Sequence, residues 1–329
     1  MPNLDVAAAI SLLDNQGYKT LRPLSLSRTP ITPEFIKPPG AIDATVIDTE
    51  TTGPDSAVDE AIEIAGYRVV VGPAGVLAVL GKIEMLEEPG RDISDGAFRA
   101  HHLSIDDLRG RRFDEGALSA FINGADLVVA HNASFDYNIL RRRFPNMEWP
   151  TWVCSQNDVP WNEKFGFGSR ALEYLAMKAG LNYEAHRALV DTEALAETLT
   201  QHKVWSVLRQ ASRTEHCVVW AYGSPFDASP RLKANGFYWN DPKNDNAIKG
   251  APKAWYKRTN RADLPQLAEW MAEQVYAGNA HAAVFVTDLP GSLRFEHNFF
   301  SAERTKRVTL EDLQRTEEES SDTAPASSP

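Results

Sequence analysis

The amino-acid sequence predicts an α/β domain followed by a smaller α+β domain, and two observations support this fold class. First, three apolar strand patterns come early in the chain, and helical and strand patterns alternate after them, as in α/β domains. Second, short strands, two helices and clustered aromatic residues begin near Thr214. A chain of 329 residues is long enough for two domains with separate cores.

The elements of the first domain follow from hydrophobic periodicity, and we expect this domain to cover residues 41–210. Its predicted strands are Ala44–Asp48, Glu60–Val71, Val76–Ile83 and Leu127–Ala130, and its predicted helices are Asp114–Asn123, Phe135–Phe144, Arg170–Ala179 and Arg187–Val204. Residues 1–40 come before it. They predict a short helix from Val6 to Leu13 and then an irregular arm, because prolines recur after residue 22.

The second unit is predicted over residues 214–300 as a small α+β module. It combines predicted strands, helices and a loop with aromatic residues at both ends: strands Cys217–Ala221 and Ala283–Thr287, helices Ser229–Ala234 and Asp263–Tyr276, and the loop from Tyr238 to Tyr256. Residues 301–329 end in EEESSDTAPASSP, and this polar, acidic composition predicts a disordered tail.

Composition narrows the class of protein. A hydrophobic content of 43% indicates a globular chain, and no apolar run is long enough to span a bilayer. The first residues lack the basic and apolar regions of a signal peptide, so we expect a cytoplasmic protein with no membrane partner. The two cysteines, Cys154 and Cys217, indicate neither a disulfide framework nor a zinc site. The net charge of −11 argues against a broad basic surface but is compatible with carboxylates that hold cations.

The first acidic motif is VIDTETTG at residues 46–53. Asp48 and Glu50 are two residues apart at the end of a predicted strand, so both carboxylates face the same side. Two like charges this close are costly unless a cation lies between them, and carboxylate oxygens suit Mg²⁺ or Mn²⁺. Taken alone, the motif is better explained as an acidic junction between a strand and a turn.

The second motif is LVVAHNASFD at residues 127–136. Asp136 is expected in the first turn of a helix, where the helix dipole favours an anion, and Asn132 or Ser134 is a candidate for the helix cap. His131 is expected to be packed and hydrogen-bonded. Phe135 belongs either to the core or to a surface on which a base stacks.

The third motif is HRALVDT at residues 186–192. Asp191 lies close to the apolar stripe of a predicted helix, and metal ligation best explains an acid in that position. His186 would face away from Asp191 on one continuous helix, so we expect it in the loop before the helix. A histidine has an ordinary pKa of about 6.5, which suits a general base near neutral pH. On its own, it would be interpreted as an exposed loop histidine.

The three motifs, in this order, resemble those of the DEDDh exonucleases of the DNA polymerase III epsilon (DnaQ-like) superfamily. The resemblance covers roughly residues 41–205. The segment from Ile93 to Ser104 is also similar to the one that precedes the second motif in these proteins, although HLS at residues 102–104 departs from their usual pattern. Downstream, GFYWND and KAWYK look like the extra C-terminal module of bacterial and phage-borne exonucleases of this type.

The resemblance implies an RNase H-like fold, with a mixed central sheet flanked by helices, and a 3′→5′ exonuclease that releases nucleoside monophosphates. It implies two ions of Mg²⁺ or Mn²⁺ in each active site, with His186 as the general base. The implied metal ligands are Asp48, Glu50, Asp136 and Asp191. The candidate substrate contacts are Thr49, Thr51, Asn132 and Phe135.

The expected substrate is DNA with single-stranded 3′ ends, in replication or repair, and a polymerase or another replication protein is a candidate partner. One alternative is a 3′-exonuclease of RNA or oligoribonucleotides, because contacts to a 2′-hydroxyl cannot be identified from the sequence. Another is a replication accessory that acts mainly by binding nucleic acid through the C-terminal module. Basic and aromatic residues are interleaved in this module. They suit the binding of single-stranded nucleic acid, and an equally good interpretation is that the tryptophans pack into a small core. The candidate contacts are Tyr238, Trp239, Lys253, Trp255 and Lys257.

Overall fold

The computed structural model describes residues 5–315, and they form two compact units that divide between Ser212 and Arg213. Each unit contains a five-stranded sheet. No helix among residues 5–315 has both the length and the apolar character needed to cross a membrane. Residues 316–329 of the predicted acidic tail lie outside the described residues.

The first unit is a mixed α/β domain with helices on both sides of its sheet. In chain order its elements are α1 (Val6–Asn15), β1 (Arg22–Pro23), β2 (Ile42–Thr51), β3 (Ala61–Gly72), β4 (Gly75–Leu86), α2 (Asp95–His101), α3 (Ile105–Leu108), α4 (Glu115–Ile122), β5 (Leu127–Ala130), α5 (Ala133–Arg143), β6 (Thr151–Cys154), α6 (Trp161–Phe165), α7 (Leu172–Lys178), β7 (Leu181–Asn182), α8 (Ala188–Gln201) and α9 (Trp205–Ala211).

The central sheet has the strand order β4-β3-β2-β5-β6. The first three strands are antiparallel, and β5 and β6 run parallel to β2, so the predicted mixed sheet is confirmed. β6 was not predicted, because its sequence TWVC begins with a polar residue and does not form the continuous apolar run that identified β5. Since β2 and β5 are parallel, their C-terminal ends lie at the same edge of the sheet, where α/β proteins commonly bind ligands.

The main core lies between this sheet and α8. Ala44 and Val46 of β2 are fully buried there with Leu195 and Leu199 of α8. Side chains alternate along a strand, so Asp48 continues the same face of β2 towards the first turn of α8. Apolar packing in the middle of the sheet therefore brings the acidic ends of two elements together.

The opposite face of the sheet requires a close approach at Gly66 of β3. A Cβ atom at this position would lie 2.6 Å from the Val46 carbonyl oxygen and 3.3 Å from the ring of Phe121. Only glycine therefore lets α4, which carries Phe121, pack this closely against β3.

The segment before the first sheet has little regular secondary structure, but it is attached to the domain. Two carboxylates of α8 accept hydrogen bonds from its backbone: Glu197 from the amide of Leu26 (2.6 Å), and Glu193 from that of Ser27 (2.8 Å). In addition, β1 pairs in parallel with β7. The prolines after residue 22 predicted an irregular arm, but they do not show these long-range bonds to α8.

The second unit contains the elements β8 (His216–Ala221), α10 (Ser229–Ala234), β9 (Tyr238–Asn240), β10 (Ala254–Asn260), α11 (Leu264–Gln274), β11 (Ala283–Leu289), β12 (Thr305–Thr309) and α12 (Leu310–Gln314). Its antiparallel sheet has the order β12-β11-β8-β10-β9. The first six elements form a βαββαβ unit of the ferredoxin-like kind, and β12 adds an edge strand. The predicted α+β class of this unit is confirmed.

Two predictions for the second unit are wrong in part. The loop expected from Tyr238 to Tyr256 contributes strand residues at both of its ends, because these pair with each other and with β8. The disordered tail was expected from Ser301, yet residues 305–314 form β12 and α12. Strand pairing with β11 supplies the hydrogen bonds that composition alone does not reveal.

Candidate metal centre and active site

Three carboxylates meet at the C-terminal end of β2. Asp48 and Glu50 come from β2, and Asp191 comes from the first turn of α8. Each offers one oxygen, and these oxygens lie within 4.8 Å of one another. All three side chains are partly buried, so bulk water can screen their mutual repulsion only in part. A cluster of hard carboxylate oxygens at this spacing fits a divalent cation of the Mg²⁺ or Mn²⁺ type.

Asp191 also anchors the loop that carries His186. One Asp191 oxygen, Oδ2, accepts hydrogen bonds from the backbone amides of His186 (2.8 Å) and Arg187 (3.0 Å). His186 is exposed and adopts a left-handed backbone conformation with φ of 72° just before α8 begins. It therefore lies in the loop, as predicted. Because the bonds to Asp191 involve the backbone amide, they do not occupy the nitrogen atoms of the imidazole ring.

Asp136 lies apart from the group of three carboxylates but acts on it electrostatically. It is in the first turn of α5, only 2% exposed, and its Oδ1 accepts a hydrogen bond from the Thr49 hydroxyl at 2.8 Å. Its charge is the strongest ionic influence that raises the pKa of Asp48. The four predicted metal-ligating acids thus gather at one edge of the sheet, three of them in close contact.

Burial is the largest cause that raises the pKa of each of these four acids. It raises the pKa of Glu50 from 4.5 to about 8, with the charges of Asp191 and Glu63 adding to the effect. It also raises the pKa of Asp136 to about 7 and shifts those of Asp48 and Asp191 upward. Without a cation the site therefore tends to hold protons, and a bound divalent ion would replace them.

A fifth acid, Glu63 of β3, belongs to the electrostatics of the site but was not predicted. It lies directly opposite Glu50 in the sheet and is fully buried. Arg187 neutralises it, because the guanidinium Nη2 donates to its Oε1 at 3.0 Å, and Arg187 lowers the pKa of Glu50 as well. The sequence shows Glu63 as a single acid within an apolar strand. Its place beside Glu50 could not be inferred without the strand register.

Tyr183 and His102 complete the surroundings of His186. The buried hydroxyl of Tyr183 makes no hydrogen bond within the described residues, but its proximity lowers the pKa of Asp191 and so favours the charged carboxylate. An open cleft of about 590 Å³ adjoins the site, and its lining includes His102, Tyr183 and His186. The neighbouring His101 is instead buried, where its Nδ1 accepts a hydrogen bond from the backbone amide of Leu103.

The predicted substrate contacts are in different environments. The hydroxyls of Thr49 and Thr51 are used internally, since Thr51 donates to the Gly53 carbonyl at 2.7 Å and Thr49 donates to Asp136. Asn132 is exposed in a left-handed conformation at the start of α5, but its side chain does not cap the helix. Phe135 is half-buried in the first turn of α5.

His131 has the structural role expected for it. Its Nδ1 accepts a hydrogen bond from the Ser155 hydroxyl, and its Nε2 donates to the Arg170 carbonyl, both at 2.8 Å. Burial lowers the pKa of His131 to about 4, so the ring is neutral at physiological pH. His131 connects the end of β5 to the segment before α7, and these contacts indicate a structural role for it.

The five candidate contacts in the second unit do not share one surface. Because β9 and β10 are strands, Trp255 packs on the helix-covered side with Trp239 beside it, whereas Tyr238 faces the other side with Tyr256. Lys257 also faces the helices and donates to the Asn235 side chain at 2.7 Å. The remaining cation, Lys253, forms an ion pair with Asp241 at 2.8 Å.

A carboxylate cluster suited to a metal ion, at the edge of a mixed α/β sheet, is typical of nucleases with an RNase H-like fold. Comparison with known families agrees, because residues 45–199 match the RNase_T exonuclease family. Residues 45–199 are therefore similar to exonucleases of this family, in line with the resemblance to DnaQ-like enzymes, and the predicted nuclease class is confirmed.

Curated relatives match the same part of the chain. They include the PolC-type DNA polymerase III of Thermotoga maritima, 29% identical over 166 residues, and that of Staphylococcus epidermidis, 30% identical over 157 residues. Each alignment covers 46% of this chain but only 11% of the relative. Among solved structures, "Exonuclease X in complex with 5′ overhanging duplex DNA" is 25% identical, with a TM-score of 0.39. That match covers 50% of this chain and 92% of the other.

Proposed function

We propose that the domain of residues 41–210 is a DNA 3′→5′ exonuclease that hydrolyses the terminal phosphodiester bond and releases a nucleoside monophosphate. The observation that carries the proposal is the cluster of Asp48, Glu50 and Asp191, whose repulsion a divalent cation would relieve. The curated relatives, which are DNA polymerases, support DNA as the substrate.

The proposed cofactor is Mg²⁺ or Mn²⁺, with two ions in the active site. Asp48, Glu50 and Asp191 would hold one ion, and Asp136 together with Asp48 would hold the other. When bound, such ions supply positive charge to the phosphate and lower the pKa of the attacking water. The protein keeps the four carboxylates partly or fully buried, which strengthens their attraction for a cation.

His186 is proposed to take the proton from the attacking water. Its backbone amide is bonded to Asp191, so the loop stays next to the metal ligands while the exposed ring can turn. The ion pair between Arg187 and Glu63 restrains the residue that follows it. His186→Ala should therefore lower turnover more than substrate binding. An equal loss of both would argue against a general base.

The direct test is degradation of a 5′-labelled single-stranded DNA oligomer in Mg²⁺, Mn²⁺ or EDTA. The wild-type chain should give a metal-dependent ladder that shortens from the 3′ end, and Asp48→Ala and Asp191→Ala should abolish it. Glu163→Ala, which removes an exposed acid on α6, is the matched control and should retain the activity. Circular dichroism checks that each variant is folded.

The same assay examines the other possible substrates. A matched RNA oligomer degraded faster than the DNA would redirect the proposal to RNA, and a duplex with a recessed 3′ end measures the preference for single strands. Most of the activity remaining in Asp48→Ala would contradict the assignment of the site. Adding a replicative polymerase to the reaction tests for a polymerase partner through a change in rate.

A further inference from the structure

The sheet of the second unit carries a row of aromatic side chains on the face opposite its helices. Strand register places Tyr238 of β9 beside Tyr256 of β10, then Trp220 of β8, Phe285 of β11 and Arg307 of β12. Cross-strand partners share a face, so these five residues, here named the aromatic row, form one line across the sheet.

The row is open at both ends and covered at its centre. Tyr238 is 67% exposed, and its ring centroid is 6.0 Å from that of Tyr256. At the other end, Tyr222, which is 51% exposed, makes an edge-to-face contact with Phe285 at 5.2 Å. Between them, Trp220 is fully buried.

Two contacts fix the covered centre. The ring of Phe299 lies 6.0 Å from that of Trp220, and the indole N–H of Trp220 donates to the Thr287 hydroxyl at 2.9 Å. The exposed rings on either side therefore rest on a rigid base. Rigid, partly exposed aromatic rings lose little conformational freedom when a flat ligand stacks on them.

The charged side chains at the strand positions of this face are all arginines. In a chain of net charge −11, none of the positions on this face of the five strands is Asp or Glu. Arg307 is exposed and makes no hydrogen bond or ion pair within residues 5–315. Arg258 lies on the same face and donates to the Glu296 carbonyl at 2.6 Å. An aromatic surface with free positive charge complements unpaired bases on a phosphate backbone.

We propose that the aromatic row, with Tyr222, binds single-stranded nucleic acid. Bases would stack on Tyr238 and Tyr256 at one end and on Tyr222 and Phe285 at the other, and Arg307 would contact a phosphate. Sheets that expose aromatic residues on one face and pack helices on the other bind single strands in this way. All of these residues belong to the second unit, and the proposal does not depend on the proposed hydrolysis.

The test measures binding of the full chain to fluorescent oligomers by anisotropy, in EDTA so that hydrolysis cannot interfere. The probes are oligo-dT, oligo-U and a blunt DNA duplex. We expect both single strands to bind more tightly than the duplex, and the ratio of their dissociation constants shows whether DNA or RNA is preferred. The Tyr238→Ala, Phe285→Ala double variant should weaken single-strand binding by roughly 10- to 100-fold, since each stacked base contributes substantially.

Arg307 has a matched control next to it. Lys306 is an exposed cation on the same strand, but it pairs with Val286 and faces the helices. Arg307→Gln should weaken binding several-fold and reduce the slope of log affinity against log salt by about 0.7, the value for one phosphate contact on a single strand. Lys306→Gln should change neither quantity appreciably.

Three outcomes would overturn the proposal. The first is no single-strand binding by the wild-type chain. The second is equal effects of Arg307→Gln and Lys306→Gln. The third concerns the aromatic double variant. If it loses self-association, measured by sedimentation, and still binds nucleic acid, the face is a contact between copies of the chain. Thermal unfolding confirms that the variants are folded. Failure of the proposed exonuclease would appear only in the metal-dependent ladder.

Discussion

Replacing Glu50 by glutamine should stabilise the metal-free protein. Burial, reinforced by Asp191 and Glu63, raises the pKa of Glu50 from 4.5 to about 8. The folded state therefore binds this proton more tightly than the unfolded state does. The free energy of unfolding carries no penalty from Glu50 below about pH 4.5, and the penalty grows as the pH rises towards 8. Glutamine keeps the shape of the side chain without the charge.

The size of this stabilisation follows from the shift in the pKa of Glu50. One pKa unit corresponds to about 1.4 kcal/mol, so the shift of Glu50 sets a ceiling of roughly 5 kcal/mol at pH 8. Neighbouring acids take up protons from the same site, and removing one acid relieves only part of the repulsion. We therefore expect a gain of about 2 kcal/mol for Glu50→Gln, or roughly 4 to 8 °C in the melting temperature of the first unit.

The assay is thermal unfolding in EDTA at pH 8 and at pH 5, followed by titration with Mg²⁺. The variant should melt higher than the wild type at pH 8, and the difference should shrink at pH 5. Mg²⁺ should stabilise the wild type more than the variant, because the variant has lost a ligand. Glu163→Gln, at an exposed acid, is the control and should show neither effect. An unchanged or lower melting temperature for Glu50→Gln at pH 8 would refute the reasoning.

Three further predictions concern packing, metal affinity and pH. Gly66→Ala should lower the free energy of unfolding in urea by about 2 kcal/mol or more, because its Cβ would lie 2.6 Å from the Val46 carbonyl; a loss under about 0.5 kcal/mol would contradict the packing. Tyr183→Phe should raise the Mg²⁺ concentration for half-maximal hydrolysis roughly 10-fold, and an unchanged value would exclude support of Asp191. At limiting Mg²⁺, the rate of hydrolysis should increase from about pH 6 to pH 9, because protons compete with the cation for the carboxylates. Saturating Mg²⁺ should move this increase to lower pH. A pH profile that does not respond to Mg²⁺ would contradict the competition.

Local patterns were enough to predict much of the first unit. Strand alternation alone placed Asp48 and Glu50 on one side of β2, and the five-residue offset placed His186 outside the helix of Asp191. In the second unit, the helix Ser229–Ala234 was predicted with its observed bounds. Each of these inferences depends on neighbours within a few residues, and the sequence contains that information directly.

Features that depend on register could not be predicted in this way. Glu63 joins the site only because the hairpin of β2 and β3 aligns it with Glu50. Trp255 and Tyr256 separate onto opposite faces only because residues 254–260 form a strand rather than a loop. The order of strands in a sheet is decided by long-range packing, to which a single sequence gives little access.

The hydrogen bonds from the loop to Asp191 bear on how this site changes under mutation. One carboxylate both faces the cluster of acids and anchors the backbone of His186 and Arg187. Loss of that carboxylate would remove a ligand and release the loop in the same event. A side chain without an acceptor oxygen at position 191 would therefore lose both roles at once, whereas asparagine would keep an acceptor for the two backbone bonds and lose the charge.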